Sequence, residues 1–218
     1  MTAPILCALD GVLADSRRPI LDSVNGALVA LGLGARPEAE VARMIGPPTN
    51  VGFEELLGLP PDSPVVTEAV IFYRALYGDA LWDTPSYPGV PEMVRALGGR
   101  LGVATSKPRP YAGPVLEAIG LDDVFEVVVG PMPDESEDTK LAMVAEASDQ
   151  LGGAVAMVGD RRFDIEAARA LGLHAIGVTW GFGSREELIG AGAEVLVDTP
   201  EQLLEALFTV RRATAPPG

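Results

Sequence analysis

The chain has 218 residues, 48% of them apolar and 22% charged, with a formal net charge of −15. That length and balance fit one sizeable core, or one core with a small accessory unit, and exclude a disordered or fibrous chain. The acid excess argues against nucleic acids and anionic membranes as partners, because both need basic faces, and no apolar run approaches the ~20 residues of a membrane span.

Any phosphate site in so acidic a chain must rest on local devices: a metal ion, a lysine, or backbone N–H groups at helix N-termini. The single cysteine, Cys7, cannot form an internal disulfide. With no usual signal peptide at the N-terminus, a reducing, cytoplasmic location is the expectation.

Apolar runs at residues 4–9, 101–105, 124–130, 155–158, 175–178 and Val195–Val197 read as strands. Amphipathic stretches at 112–119, 140–151, 162–171 and 186–191 lie between the later ones. Strand–helix alternation with near-continuous apolar strands predicts a parallel sheet covered on both faces, an α/β, Rossmann-like three-layer core. The interval after the first strand breaks this rhythm. Residues 20–31, 38–44, 52–57 and 64–76 carry helical patterns instead, separated by glycine–proline turns, which predicts a helical insertion. The chain returns to the core near Tyr87-Pro88-Gly89-Val90, and residues 213–218 read as a frayed tail.

Ligands of open α/β sheets bind beyond the C-terminal ends of the strands, and the polar residues of interest fall there. Asp10 follows the first strand, Thr105-Ser106 ends the second, and Gly159-Asp160 follows the fourth. Asp160 and Asp164, four apart across a strand tip and a helix start, offer the hard oxygens that suit Mg²⁺. The plainer reading makes one a helix cap and the other a solvated face residue. Thr105 and Ser106 offer hydroxyl and N–H donors to a phosphoryl group, or an ordinary cap before Pro108. Lys140 opens a helix, where its charge opposes the helix dipole, so a role for that charge in a phosphate site is the better explanation. The only histidine, His174, has no second histidine for a zinc site. Neither a P-loop nor a Gly-x-Gly-x-x-Gly fingerprint is present.

Taken together, these residues resemble the phosphoglycolate-phosphatase-like branch of the haloacid dehalogenase superfamily. Its first motif runs Asp-x-Asp-Gly-(Thr/Val)-Leu. Here Gly11-Val12-Leu13 fixes the register, so Asp10 is the second Asp and Ala8 stands where the first belongs. The second motif is similar at residues 102–108, the third at Lys140, and the fourth at residues 157–161 with Asp164.

The resemblance implies a Mg²⁺-dependent phosphatase acting on a small phosphorylated metabolite. In it the first Asp attacks phosphorus, and Asp10 protonates the leaving alkoxide and then activates water. The first Asp's carboxylate, the Asp10 carbonyl and Asp160 would hold the metal, with Asp164 orienting its waters, and Thr105, Ser106, Lys140 and Gly11 would serve the substrate. The core would comprise residues 1–15 and 86–218, with residues 16–85 as a cap that selects the leaving group. Arg17, Arg18, Gly46, Pro47, Pro48, Tyr73, Arg74, Tyr77 and Trp82 are candidates to line it. Dehalogenases do not need an acid at position 10, so Asp10 points to phosphatase ancestry. A methyl group cannot attack phosphorus or bind a metal. Ala8 therefore leaves three readings: an Asp-to-Ala form of a working phosphomonoesterase, a natural non-catalytic relative binding a phosphorylated metabolite or a partner protein, or a weak phosphatase using water or Asp10 directly. The substrate and the oligomeric state are not legible.

Overall fold

All six apolar runs become strands of one parallel sheet in the computed structural model, which describes residues 2–132 and 139–214. The strands are β1 (Ile5–Cys7), β2 (Leu101–Ala104), β3 (Val127–Val129), β4 (Ala156–Gly159), β5 (His174–Val178) and β6 (Val195–Val197). Their spatial order is β3-β2-β1-β4-β5-β6, which puts β1 at the centre and the reversal of strand order between β1 and β4. Leu6 of β1 lies opposite Gly102 of β2 and Met157 of β4. β1, β2 and β4 are buried along their whole length. This is why they read as unbroken apolar runs and not as alternating ones.

Between β1 and β2 come α1 (Arg17–Ala30), α2 (Glu38–Val41), α3 (Thr49–Leu57) and α4 (Pro64–Ala80). They fall on the four helical patterns of the insertion, and α1 packs along α4. An antiparallel bridge from Ala14 to Ser86 marks where the chain leaves and rejoins the sheet region. Each later strand is reached through a helix, as parallel pairing requires. These are α6 (Arg109–Ala118), α7 (Lys140–Gln150), α8 (Arg162–Ala170) and α9 (Arg185–Ala191), preceded by α5 (Val90–Leu97) and followed by α10 (Pro200–Ala213). The result is the expected α/β, Rossmann-like core with flanking helices.

Two helices were not anticipated. In α5, Val90, Met93, Val94 and Leu97 repeat at helical spacing and are buried, but the segment is only two turns long. In α10, Pro200 occupies the first turn and the Thr199 hydroxyl accepts from the Gln202 N–H at 3.3 Å, while Leu203, Leu207 and Val210 face the core. Ala213, expected in a frayed tail, closes this helix; residues 215–218 lie outside the described residues.

Arg211 fastens α10 to the base of the sheet. Its buried guanidinium donates to the Leu97 carbonyl at 2.8 Å and to the Ala3 carbonyl at 3.2 Å. We predict that Arg211→Met destabilises the fold by about 1–3 kcal/mol, because the buried Leu97 carbonyl and the half-buried Ala3 carbonyl lose a charged donor. A lower urea midpoint with an unchanged slope is the expected result; an unchanged midpoint contradicts it.

Candidate active site

Beyond β1 the chain makes a tight loop that turns Asp10 toward the strand tips. Leu13 and Ala14 both donate to the Leu9 carbonyl, at 2.9 and 3.0 Å, and the Gly11 N–H donates to the Ala14 carbonyl at 3.0 Å. Gly11 has φ of +82°, and a Cβ built on it would lie 2.0 Å from an Asp160 carboxylate oxygen. Gly11 does not itself line the pocket. Its contribution is room: only a residue without a side chain lets the β1 and β4 loops approach this closely.

At the other tip, Asp164 sits in the first turn of α8. One of its oxygens accepts from the Asp160 N–H at 3.2 Å and the Arg161 N–H at 3.0 Å, so it caps the helix. Its other oxygen meets Lys140 Nζ at 2.7 Å, and that ammonium also donates to the Ala104 carbonyl at 2.8 Å. Lys140 thus reaches the site from the start of α7, as its position in the sequence suggested. The polar loop before it falls largely in residues 133–138, outside the described residues. Asp160 is 1% and Asp164 3% exposed, so neither is a solvated face residue. The Asp160 carboxylate accepts from the Phe182 N–H at 2.8 Å. Burial, and then the like charge of Asp164, push its pKa up to about 7.

A second lysine completes the arrangement, and the sequence reading gave it no role. The Lys107 side chain is only 4% exposed. Its Nζ stands 3.2 Å from Asp10 Oδ2 and donates to the Tyr77 hydroxyl of α4 at 2.6 Å. The Ser16 hydroxyl donates to the other Asp10 oxygen. The Lys107 N–H donates to Thr105 Oγ1 at 3.0 Å, which curls the chain after β2 and turns the lysine inward. The one available signal was composition: Lys107 and Lys140 are the only lysines in the chain.

These groups open on one pocket, lined at its floor by Ala8, Asp10, Thr105, Ser106, Lys107, Lys140, Asp160 and Asp164. Of the residues expected on the helical side, Gly46, Pro47, Tyr73, Arg74 and Tyr77 line it. Arg18 instead pairs with Asp22 on the surface, Trp82 is exposed, and Arg17 stacks on Phe182 and donates to the Gly181 carbonyl. Ile20, Val24, Met44, Ile45, Tyr111 and Phe163 line it without having been anticipated. Arg161 joins the two sides, donating to the Ile45 carbonyl while holding Glu187 at 2.9 Å. His174 lies at the start of β5 paired with Glu194, and burial pushes the Cys7 thiol up to about 12. Neither enters the pocket lining.

Among the described residues, no three acidic, histidine or cysteine side chains gather as a metal cluster. Lys107 engages the Asp10 carboxylate and Lys140 that of Asp164, which leaves Asp160 as the floor carboxylate without a lysine. What remains fits Mg²⁺ narrowly. Asp160 is a buried carboxylate held above its ordinary pKa partly by a neighbouring negative charge, and Mg²⁺ commonly uses one or two protein carboxylates with substrate phosphate and water.

A family model for haloacid dehalogenase-like hydrolases matches residues 5–178. The probable phosphatase IndB of Dickeya dadantii is 33% identical over 98% of this chain and 96% of its own length. The phosphoglycolate phosphatase of Salmonella typhimurium is 31% identical over 91% of this chain and 90% of its own. The crystal structure of a predicted phosphatase from Clostridium acetobutylicum superposes with a TM-score of 0.87 at 30% identity, covering 96% of this chain and 99% of that one. The chain belongs to the haloacid dehalogenase-like hydrolase family, and phosphatases, phosphoglycolate phosphatases included, are among its neighbours.

The raised pKa of Asp160 sets a pH dependence. In metal-free buffer the folded chain holds a proton on Asp160 between pH 3.8 and about 7 that the unfolded chain has released. Stability relative to Asp160→Asn therefore falls as pH rises through that window. Urea midpoints of the two proteins between pH 4 and 8 check this; a difference that does not vary with pH contradicts it.

Proposed function

We propose that this chain carries the site of a phosphatase for a small phosphorylated metabolite, with turnover impaired because Ala8 occupies the attacking position. The observation that supports this most is the company Ala8 keeps. Its methyl lines the pocket floor at the tip of β1, beside Asp10, Thr105, Lys140 and Asp160, which are the partners an attacking carboxylate there would need. The phosphatase neighbours support the reaction class.

Each retained residue has work in that reading. Thr105, Ser106 and the Lys140 ammonium hold phosphoryl oxygens as charge develops on them. Asp10, steadied by Ser16 and Lys107, delivers a proton to the leaving alkoxide. Asp160 holds Mg²⁺, with Asp164 behind it fixing Lys140 and the loop before α8. When bound, Mg²⁺ supplies positive charge to the phosphoryl oxygens. Residues 16–85 act as a cap that covers the pocket and contacts the leaving group.

The acidic surface suits a small ligand that enters a local cationic pocket, not an extended polyanion. Among the described residues no helix is long and apolar enough to cross a membrane, and the buried, protonated Cys7 is compatible with a reducing, cytoplasmic setting.

We predict that Ala8→Asp hydrolyses p-nitrophenyl phosphate in the presence of Mg²⁺, at least ~1,000-fold faster than the unaltered chain, since removing a covalent nucleophile costs orders of magnitude. Equal and negligible rates for both proteins contradict the reading. Appreciable turnover by the unaltered chain, lost in Asp10→Asn, would instead assign the attack to Asp10 or to water.

A further inference from the structure

The helical side of the pocket carries a run of apolar and aromatic side chains, and this bears on what it accepts. Facing the lysine and aspartate floor are Ile20 and Val24 of α1, Met44 and Ile45 before α3, Tyr73 of α4, and Phe163 of α8. Tyr73 belongs to a run of packed rings. Phe53 lies edge-on behind it at 5.9 Å, Tyr77 stacks on it at 5.4 Å and 16°, and Tyr111 meets Tyr77 edge-on at 5.6 Å. Phe53 and Tyr77 are fully buried, so the wall is fixed by its own packing. Burial holds the Tyr73 and Tyr77 phenols well above their ordinary pKa, so both stay neutral hydroxyls.

A leaving group rich in hydroxyls would meet few partners here. The Tyr77 hydroxyl already accepts from Lys107, and the Arg161 guanidinium is held by Glu187 and the Ile45 carbonyl. The Tyr73 and Tyr111 phenols, Thr49 and Arg74 are the other polar groups on this side of the lining. Hydroxyls buried without partners weaken binding, whereas an apolar ring gains by leaving water and by offset contact with Tyr73.

We infer that the substrate is the phosphate monoester of an alcohol carrying an apolar, aromatic ring, with that ring seated against Tyr73 and Ile20. The inference rests on the phosphoryl-site reading of the pocket floor and adds the chemistry of the group beyond the phosphorus. Tyr73 is on this account the principal specificity-determining residue.

Stable phosphonates test it on the unaltered chain with no need for turnover. Calorimetry with Mg²⁺ compares phenylphosphonate, methylphosphonate and phosphonoacetate. We expect phenylphosphonate to bind at least ~10-fold more tightly than methylphosphonate, the ratio that burying a ring provides. In Tyr73→Ala that ratio should collapse toward one. Equal affinity for phenyl- and methylphosphonate would overturn the inference and leave the phosphoryl-site reading standing. Tightest binding of phosphonoacetate, lost in Arg74→Met, would overturn it in favour of a carboxylate-bearing leaving group. Failure of all three phosphonates to bind would remove the floor reading and the inference together. The ligand series on the unaltered chain decides the matter even where Tyr73→Ala fails to fold.

Discussion

The ion pair between Lys140 and Asp164 holds the pocket floor together. Buried charges are tolerated only when paired and hydrogen-bonded, and both members of this pair meet that condition. Asp164 takes two backbone N–H groups and the ammonium; Lys140 takes the carboxylate and the Ala104 carbonyl. The pair therefore joins the end of β2, the start of α7 and the turn from β4 into α8. Lys107 with Asp10 does the same for the end of β2, the loop after β1 and, through Tyr77, α4. A chain of net charge −15 places both of its lysines at the mouth of β1.

This arrangement clarifies the consequence of Ala8. The two lysine–aspartate pairs do not involve residue 8, so a methyl there leaves the scaffold of the floor intact. On the proposed reading, what the methyl removes is chemistry: a negative charge, an attacking oxygen and a metal ligand. On that reading the floor, whose two lysines are already paired with aspartates, meets a phosphoryl group with one negative charge fewer than a carboxylate at position 8 would bring. Phosphate affinity is then expected to be kept and turnover to be lost, and phosphatases are among the relatives of this chain.

Much of this was legible in the sequence. The strands were, because buried parallel strands are written as apolar runs, and so were the places of Asp10, Thr105 and Asp160 at strand tips and of Lys140 at a helix start where its charge opposes the dipole. The dual reading of Asp164 resolved toward a cap, but a buried one that also holds Lys140. Gly11 proved to be a spacer for Asp160 and not a lining residue, a fact that depends on two loops far apart in the chain. Lys107 was hidden because its meaning lies in Asp10 and Tyr77, which only the fold brings to it. Arg18 and Trp82 were misplaced in the pocket because charge and ring size suggest ligand contact, whereas Ile20, Val24 and Met44 looked like ordinary core. The helix periodicity that reveals a buried face does not say whether protein or ligand covers it.

The central claim is that residue 8 is the attacking position of this site. Mixing the Ala8→Asp protein with p-nitrophenyl phosphate and Mg²⁺, quenching in acid and mapping phosphate by peptide mass spectrometry tests it most directly. The expected result is a phosphoryl group on the introduced carboxylate, in the variant's peptide that spans position 8, and none on the unaltered chain. Turnover by the variant with no acyl-phosphate, or with phosphate on a different peptide, would contradict it.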